Sequence, residues 1–264
     1  MRYRALAGLV LTVVLSGCPK EKEDDTLTFA EALQAVEEST LSSQAQSLQS
    51  ASVEITTSFT IGQAVENAAQ EIKDFVGTQL PCAEITLADA TLTVKYGAKP
   101  GNCTYKGHKF SGTHSIQVEK NDQAQVLVHH TWADLTNGVV KLNGTADVTW
   151  DFQELSRKVV HKVEWTRVHD GFAVSGEGDR TQTPLAGGVL EGIEIDGHRS
   201  WASVRGEWNL TIDGVQMRWV DPVPQAGSYN LLTPKNKKLG LSFQRVDEDT
   251  IKVTVSNGKR SFNF

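Results

Sequence analysis

The chain has 264 residues, 39% apolar content and a formal net charge of −6. That length holds one large domain or two small ones. The acidic balance, without clustered positive charge, argues against a nucleic-acid partner.

Arg2 and Arg4 open the chain, an apolar run from Ala5 to Leu15 follows, and the small residues Ser16 and Gly17 come next. Basic, apolar, small is the layout of a secretory signal. The run is about half the roughly 20 residues that a membrane-spanning helix needs. Leu15-Ser16-Gly17-Cys18 then resembles the lipobox of bacterial lipoproteins. The resemblance covers residues 1–18 alone. It implies cleavage before Cys18, a diacylglycerol on the thiol and acylation of the new amino group. Two or more acyl chains hold a protein to a membrane where one does so marginally. The membrane is therefore one expected partner, reached through the N-terminal lipid. In enteric bacteria an Asp after the cysteine retains such proteins at the inner membrane; Pro19 stands there instead, so the expected location is the bacterial outer membrane, on its periplasmic or its cell-surface side. Loss of residues 1–17 leaves 24 basic against 32 acidic side chains, a net charge of −8. Residues 18–28, with "PKEKEDD", are too charged to bury a core and read as a linker.

Cys82 and Cys103 remain in the exported chain. In an oxidising compartment such a pair usually bonds, which would contribute about 3 kcal/mol for a loop of this length. The alternative is two separate buried thiols.

Residues 29–80 read as a helical region. Thr28 and Glu31 match a capping box. Phe29, Leu33 and Val36, and less neatly Ala32, can share one face. "ASVEITTSFT" fits a short strand or more helix. Ile61, Val65, Ala68, Ile72 and Val76 recur at helical spacing, and Gly77 with Pro81 beyond it predicts the stop.

Over residues 81–264 the period changes to two. In "KFSGTHSIQVEK" Phe110, Gly112, His114, Ile116 and Val118 share a face, and "VVKLNGTADVTWDF" and "VRGEWNLTID" repeat the alternation. Such runs predict an antiparallel sheet with one dry and one wet face. Asn121-Asp122, Asn137-Gly138, Asp170-Gly171, Asp213-Gly214 and Asn257-Gly258 suit hairpin turns. The predicted fold is mainly β: a large curved antiparallel meander of about ten to twelve strands, half-open or closed like a barrel, with the short helical region covering one face. In outline this is similar to the bacterial carriers that move lipoproteins across the periplasm, a likeness carried by no shared motif. "RWVDPVPQAGSYNLLTP" predicts a crossover or an edge cover, "RVDEDT" a charged turn, and "RSFNF" a closing strand.

Gly112, Gly144 and Gly176 recur at intervals of 32 residues, and Gly206 follows after 30. Inward glycines mark either a bend of the sheet or space for a large neighbour. A two-residue turn at Asp170-Gly171 would set Trp165 opposite Gly176. A three-residue turn at 121–123 would set Trp132 opposite Gly112 and His130 opposite His114.

No G-x-S-x-G, H-E-x-x-H or phosphate-binding loop occurs, so no catalytic residue and no cofactor is expected. His114, His130 and His161 fall on the dry face. His114 opposite His130 could share a metal ion, against the plainer reading of buried, hydrogen-bonded rings; His129 points outward. Trp132, Trp150, Trp165 and Trp208 are either core filling or the lining of an apolar pocket. The expected role is a non-enzymatic envelope lipoprotein that binds or carries an apolar small molecule, or serves with another envelope protein. A surface adhesion or assembly module, and a hydrolase or metal protein built on the histidines, are the alternatives.

Overall fold

The computed structural model describes residues 26–56, 65–120, 125–151, 153–257 and 261–263, so Cys18 and the predicted signal segment lie outside the described residues. Helix α1 spans Phe29–Thr56 and α2 spans Val65–Gln79. No described helix is long and apolar enough to cross a membrane.

The predicted capping box forms at the start of α1. The Thr28 amide donates to Glu31 Oε2 at 2.8 Å, and the Glu31 amide donates to Thr28 Oγ1 at 3.3 Å. The same carboxylate receives Lys235 Nζ at 2.9 Å and Lys237 Nζ at 2.7 Å, which ties the helix start to the sheet. The buried face of α1 is Ala35, Leu41, Ala45, Leu48 and Ile55. Phe29, Leu33 and Val36 are instead 52%, 55% and 57% exposed. The helix turns a different row, which begins at Ala35, toward the core. The stretch left open between strand and helix stays helical up to Thr56. Helix α2 runs through Gly77 to Gln79, stopping ahead of Pro81. Ile72 and Val76 are buried as expected; the side chains of Ile61, Val65 and Ala68 lie outside those described.

Strands β1 (Glu84–Ala88) and β2 (Thr91–Tyr96) form a hairpin, and β3 (Thr104–Tyr105) with β4 (His108–Lys109) forms a small ribbon of its own. The meander continues with β5 (Ser111–Lys120), β6 (Val126–Thr136), β7 (Val140–Asp151), β8 (Ser156–Arg167) and β9 (Ala173–Leu185). It ends with β10 (Gly188–Ser203), β11 (Gly206–Arg218), β12 (Ala226–Leu232), β13 (Lys238–Arg245), β14 (Ile251–Ser256) and β15 (Ser261–Asn263). All strands but β3 and β4 form one 13-stranded antiparallel sheet, each pairing with its neighbour in sequence. The sheet does not close: β1 and β15 are its two edges. Both helices pack on the concave face, α2 against β1, β2 and β5, and α1 against β7. Cys82 and Cys103 sit at disulfide distance, with 5.4 Å between Cα atoms, at the join between α2 and the sheet.

The predicted registers are each off by two residues. Lys120 pairs with Val126, which sets Trp132 opposite His114 and His130 opposite Ile116. The Arg167 amide bonds the Phe172 carbonyl at 2.9 Å, so the Asp170-Gly171 turn is longer than two residues and Trp165 pairs with Val174. A slip of two keeps every side chain on its face, so the dry face survives the error. Both proposed roles of the inward glycines occur. Gly144 takes φ +139°, and a Cβ there would collide with the backbone of β8. A Cβ on Gly176 would fall 2.5 Å from the indole of Trp165, which reaches it diagonally.

Other expectations change. Asp213-Gly214 is an irregularity inside β11, not a turn. Val204 lies in the β10–β11 turn, 90% exposed. The proline-rich stretch is a hairpin loop over residues 219–225 followed by strand β12 itself, since β11 and β12 pair directly.

Candidate functional site

Two rows of side chains cross the concave face. In the first, Arg180 on β9 faces Gly197 on β10, then Ile212, Tyr229 and Leu241 follow on β11, β12 and β13. In the second, His161 on β8 faces Gly178, then Arg199, Leu210, Leu231 and Leu239 follow strand by strand. Each row thus begins with cationic or imidazole groups and a glycine and ends in aliphatic or aromatic groups. Helix α1 faces these rows with Ser39, Ser43, Gln46, Ser47 and Ser50, one per turn or nearly so. Ser47 Oγ meets His108 Nε2 of β4 at 2.9 Å, and Gln46 Nε2 donates along the helix to Ser50 Oγ at 3.2 Å. A cavity of about 680 Å³ remains between helix and sheet, bounded by both rows. That volume falls within the range of small-molecule sites, roughly 300–1,000 Å³.

The electrostatics at the β8–β10 end are unusual. Arg180 is 9% exposed, its Nε has no partner, and it forms no hydrogen bond or ion pair among the described residues. Arg199 Nη1 makes one long contact, 3.5 Å, to the Ser42 carbonyl, and its Nε has no partner. Its guanidinium lies 5.4 Å from the Trp201 ring centre, a cation–π distance. Burial pushes the pKa of both guanidinium groups down to about 10, so each keeps its charge at neutral pH. Burial first, and then the charges of Arg180 and Arg199, push His161 down to about 3. The carboxylate whose field reaches Arg180 belongs to Glu54, which already pairs with Lys106. Arg157, beside this group on β8, donates from Nε to Gln182 Oε1 at 2.7 Å. Taking an ion out of water without a partner costs several kcal/mol.

The histidine pair lies elsewhere. Tyr96 Oη contacts His114 Nδ1 at 3.1 Å, and His114 Nε2 contacts His130 Nδ1 at 2.9 Å, all fully buried. The two rings do meet, diagonally. Their facing nitrogens are engaged with each other, and no group of three or more His, Cys, Asp or Glu that could hold a metal exists among the described residues. A metal centre needs more ligands than this pair supplies. His129 points outward and meets Asp147 at 2.6 Å.

Trp132, Trp150, Trp165 and Trp208 are 2%, 7%, 3% and 2% exposed, and none borders the cavity. The first three lie on β6 to β8 within the apolar core that the helices share, and Trp208 stacks on Trp201 at 6.2 Å. Trp201 is the tryptophan that borders the cavity. Sequence reasoning missed Arg180 and Arg199. Their signal was there: each stands on the inward parity of its strand, Arg180 two residues after Gly178 and Arg199 two before Trp201.

Comparison with known proteins finds no matching family model, no matching curated protein and no matching solved structure.

Proposed function

We propose that the protein is an envelope lipoprotein, lipid-anchored through Cys18 at the bacterial outer membrane, whose β domain binds or carries an apolar molecule and catalyses no reaction. The observation that carries the reading is the cavity of about 680 Å³, walled by half-buried Leu210, Ile212, Tyr229, Leu239 and Leu241. A large, well-formed apolar pocket with a few polar groups is the usual form of a ligand site.

The test is native mass spectrometry on residues 24–264, which keep every described residue, exported to a periplasm and purified without detergent. A reproducible extra mass, lost on denaturation and identified as a lipid or similar apolar compound, is the expected result. A bare mass would favour the second reading, a surface assembly module. That reading draws on one rim of the sheet, where Leu190, Trp219, Val220 and Val246 are 90%, 51%, 78% and 61% exposed.

A further inference from the structure

We infer that the cavity takes a single-chain anionic amphiphile, with a carboxylate or phosphate headgroup seated between Arg180 and Arg199 and its apolar tail laid across β11 to β13. The inference rests on the carrier reading above and specifies its ligand. Three observations carry it.

The first is the unpaired charge. Arg180 is nine-tenths buried and without a hydrogen-bond or ion-pair partner, and Arg199 has a long contact to a backbone carbonyl and the Trp201 ring at 5.4 Å, neither of them an anion. An apolar molecule alone would balance neither cation, and the carboxylate that borders the cavity, Asp179, is held by His198 Nδ1 at 2.9 Å. An anion between them would supply the missing charge and accept from the free guanidinium N–H groups, which favour carboxylate and phosphate by geometry.

The second is polarity along the rows. Both pass from charged or imidazole groups on β8 to β10 to aliphatic and aromatic groups on β11 to β13, within one cavity. Strands lie about 4.8 Å apart, so the apolar part extends about 14 Å from Arg199 on β10 to Leu239 on β13. A ligand that satisfies both ends must itself have a charged head and an apolar tail.

The third is the glycines. Gly178 and Gly197 stand beside Arg199 and Arg180 in the rows. A Cβ on Gly178 would fall 2.5 Å from the His198 carbonyl oxygen and 3.0 Å from His161 Cε1, and one on Gly197 2.2 Å from the Asp179 carbonyl oxygen. Close approach of the neighbouring strand thus requires glycine at both places, and neither adds a side chain between the cations.

The test is titration of delipidated protein, residues 24–264, with dodecanoate, dodecyl phosphate and dodecanol, read by tryptophan fluorescence, since Trp201 borders the cavity. Both anions should bind about ten- to a hundred-fold more tightly than the alcohol, the worth of one or two charge-assisted hydrogen bonds. Which anion binds better distinguishes a fatty-acid head from a phosphate head. Arg180→Met and Arg199→Met should each reduce that preference while leaving dodecanol binding in place, and should leave the unliganded Tm unchanged or higher. Equal affinity for acid and alcohol would overturn the headgroup inference and leave the carrier reading standing. No binding of any of the three would overturn both. A folded core lost in Arg180→Met would mark the residue as structural and overturn its headgroup role.

Discussion

From β5 to β8 the inward rows are closed to water: Ile116, Leu142 and Val159 are 0% exposed. From β11 to β13 the same inward parity carries Leu210, Ile212, Tyr229, Leu239 and Leu241, half-buried along the cavity, with Trp208, Leu231 and Phe243 buried among them. The strands of the two regions are alike in pattern and pairing, and what differs is the cover. Helix α1 turns Leu41, Ala45, Leu48 and Ile55 into the closed core, and serines toward the open rows. One helix thus completes a core on one side and leaves a cavity on the other. A sheet face is a core or a binding surface according to what is laid against it.

Acid should have the largest effect, through His114 and His130 in the closed half and His161 at the edge of the cavity. Burial holds His130 and His161 down to about 3 and His114 well below the ordinary 6.5. The folded state therefore binds fewer protons than the unfolded chain between these values. Stability is complete above about pH 6.5 and falls as pH drops toward 3, by up to about 1.4 kcal/mol per pH unit for each histidine. Thermal melts from pH 7 to pH 4 should show a steep loss of Tm. A flat profile would mean that these rings are charged in the fold.

Leu48→Ala, beneath the fully covered part of α1, should cost about 3 kcal/mol. Leu241→Ala, on the open rows, should cost about 1 kcal/mol, because it loses only partial burial. Equal costs in urea titrations would dissolve the distinction between the halves. Replacing Cys82 and Cys103 together by Ser should cost about 3 kcal/mol if the bond forms, and hydrogen exchange should rise where α2 joins the sheet.

The smallest effect sharpens the comparison most. Ser43→Leu makes the open side of α1 resemble its closed side. It should raise stability by about 1 kcal/mol and weaken binding of dodecanoate and dodecanol alike. A variant that is destabilised would show that the serine face is not simply a gap.

Much of the architecture was legible because side-chain direction in a strand has a strict period of two. "LNGTADVTW" assigns Leu142, Ala146, Val148 and Trp150 to the inside whatever the register, and the structure buries all four. Turn chemistry made sequence neighbours into strand neighbours, and local backbone bonds made the Thr28–Glu31 cap readable. The site was less legible. Arg180 and Arg199 stood on the inward parity, but a charge there reads as a flaw until its surroundings are known. Trp132, Trp150, Trp165 and Trp208 were readable as inward, yet not as core rather than pocket.

The sequence by itself determined the antiparallel meander, the inward faces of strands such as β5 and β7 and the start of the first helix, since each depends on contacts within a few residues or on parity. Tertiary structure alone decided the two-residue shifts of register, because hairpin loops of different length satisfy the same parity. It also decided which face of α1 meets the sheet and which rows stay uncovered. Those outcomes depend on how small residues let distant segments approach, and that is a property of the whole packing.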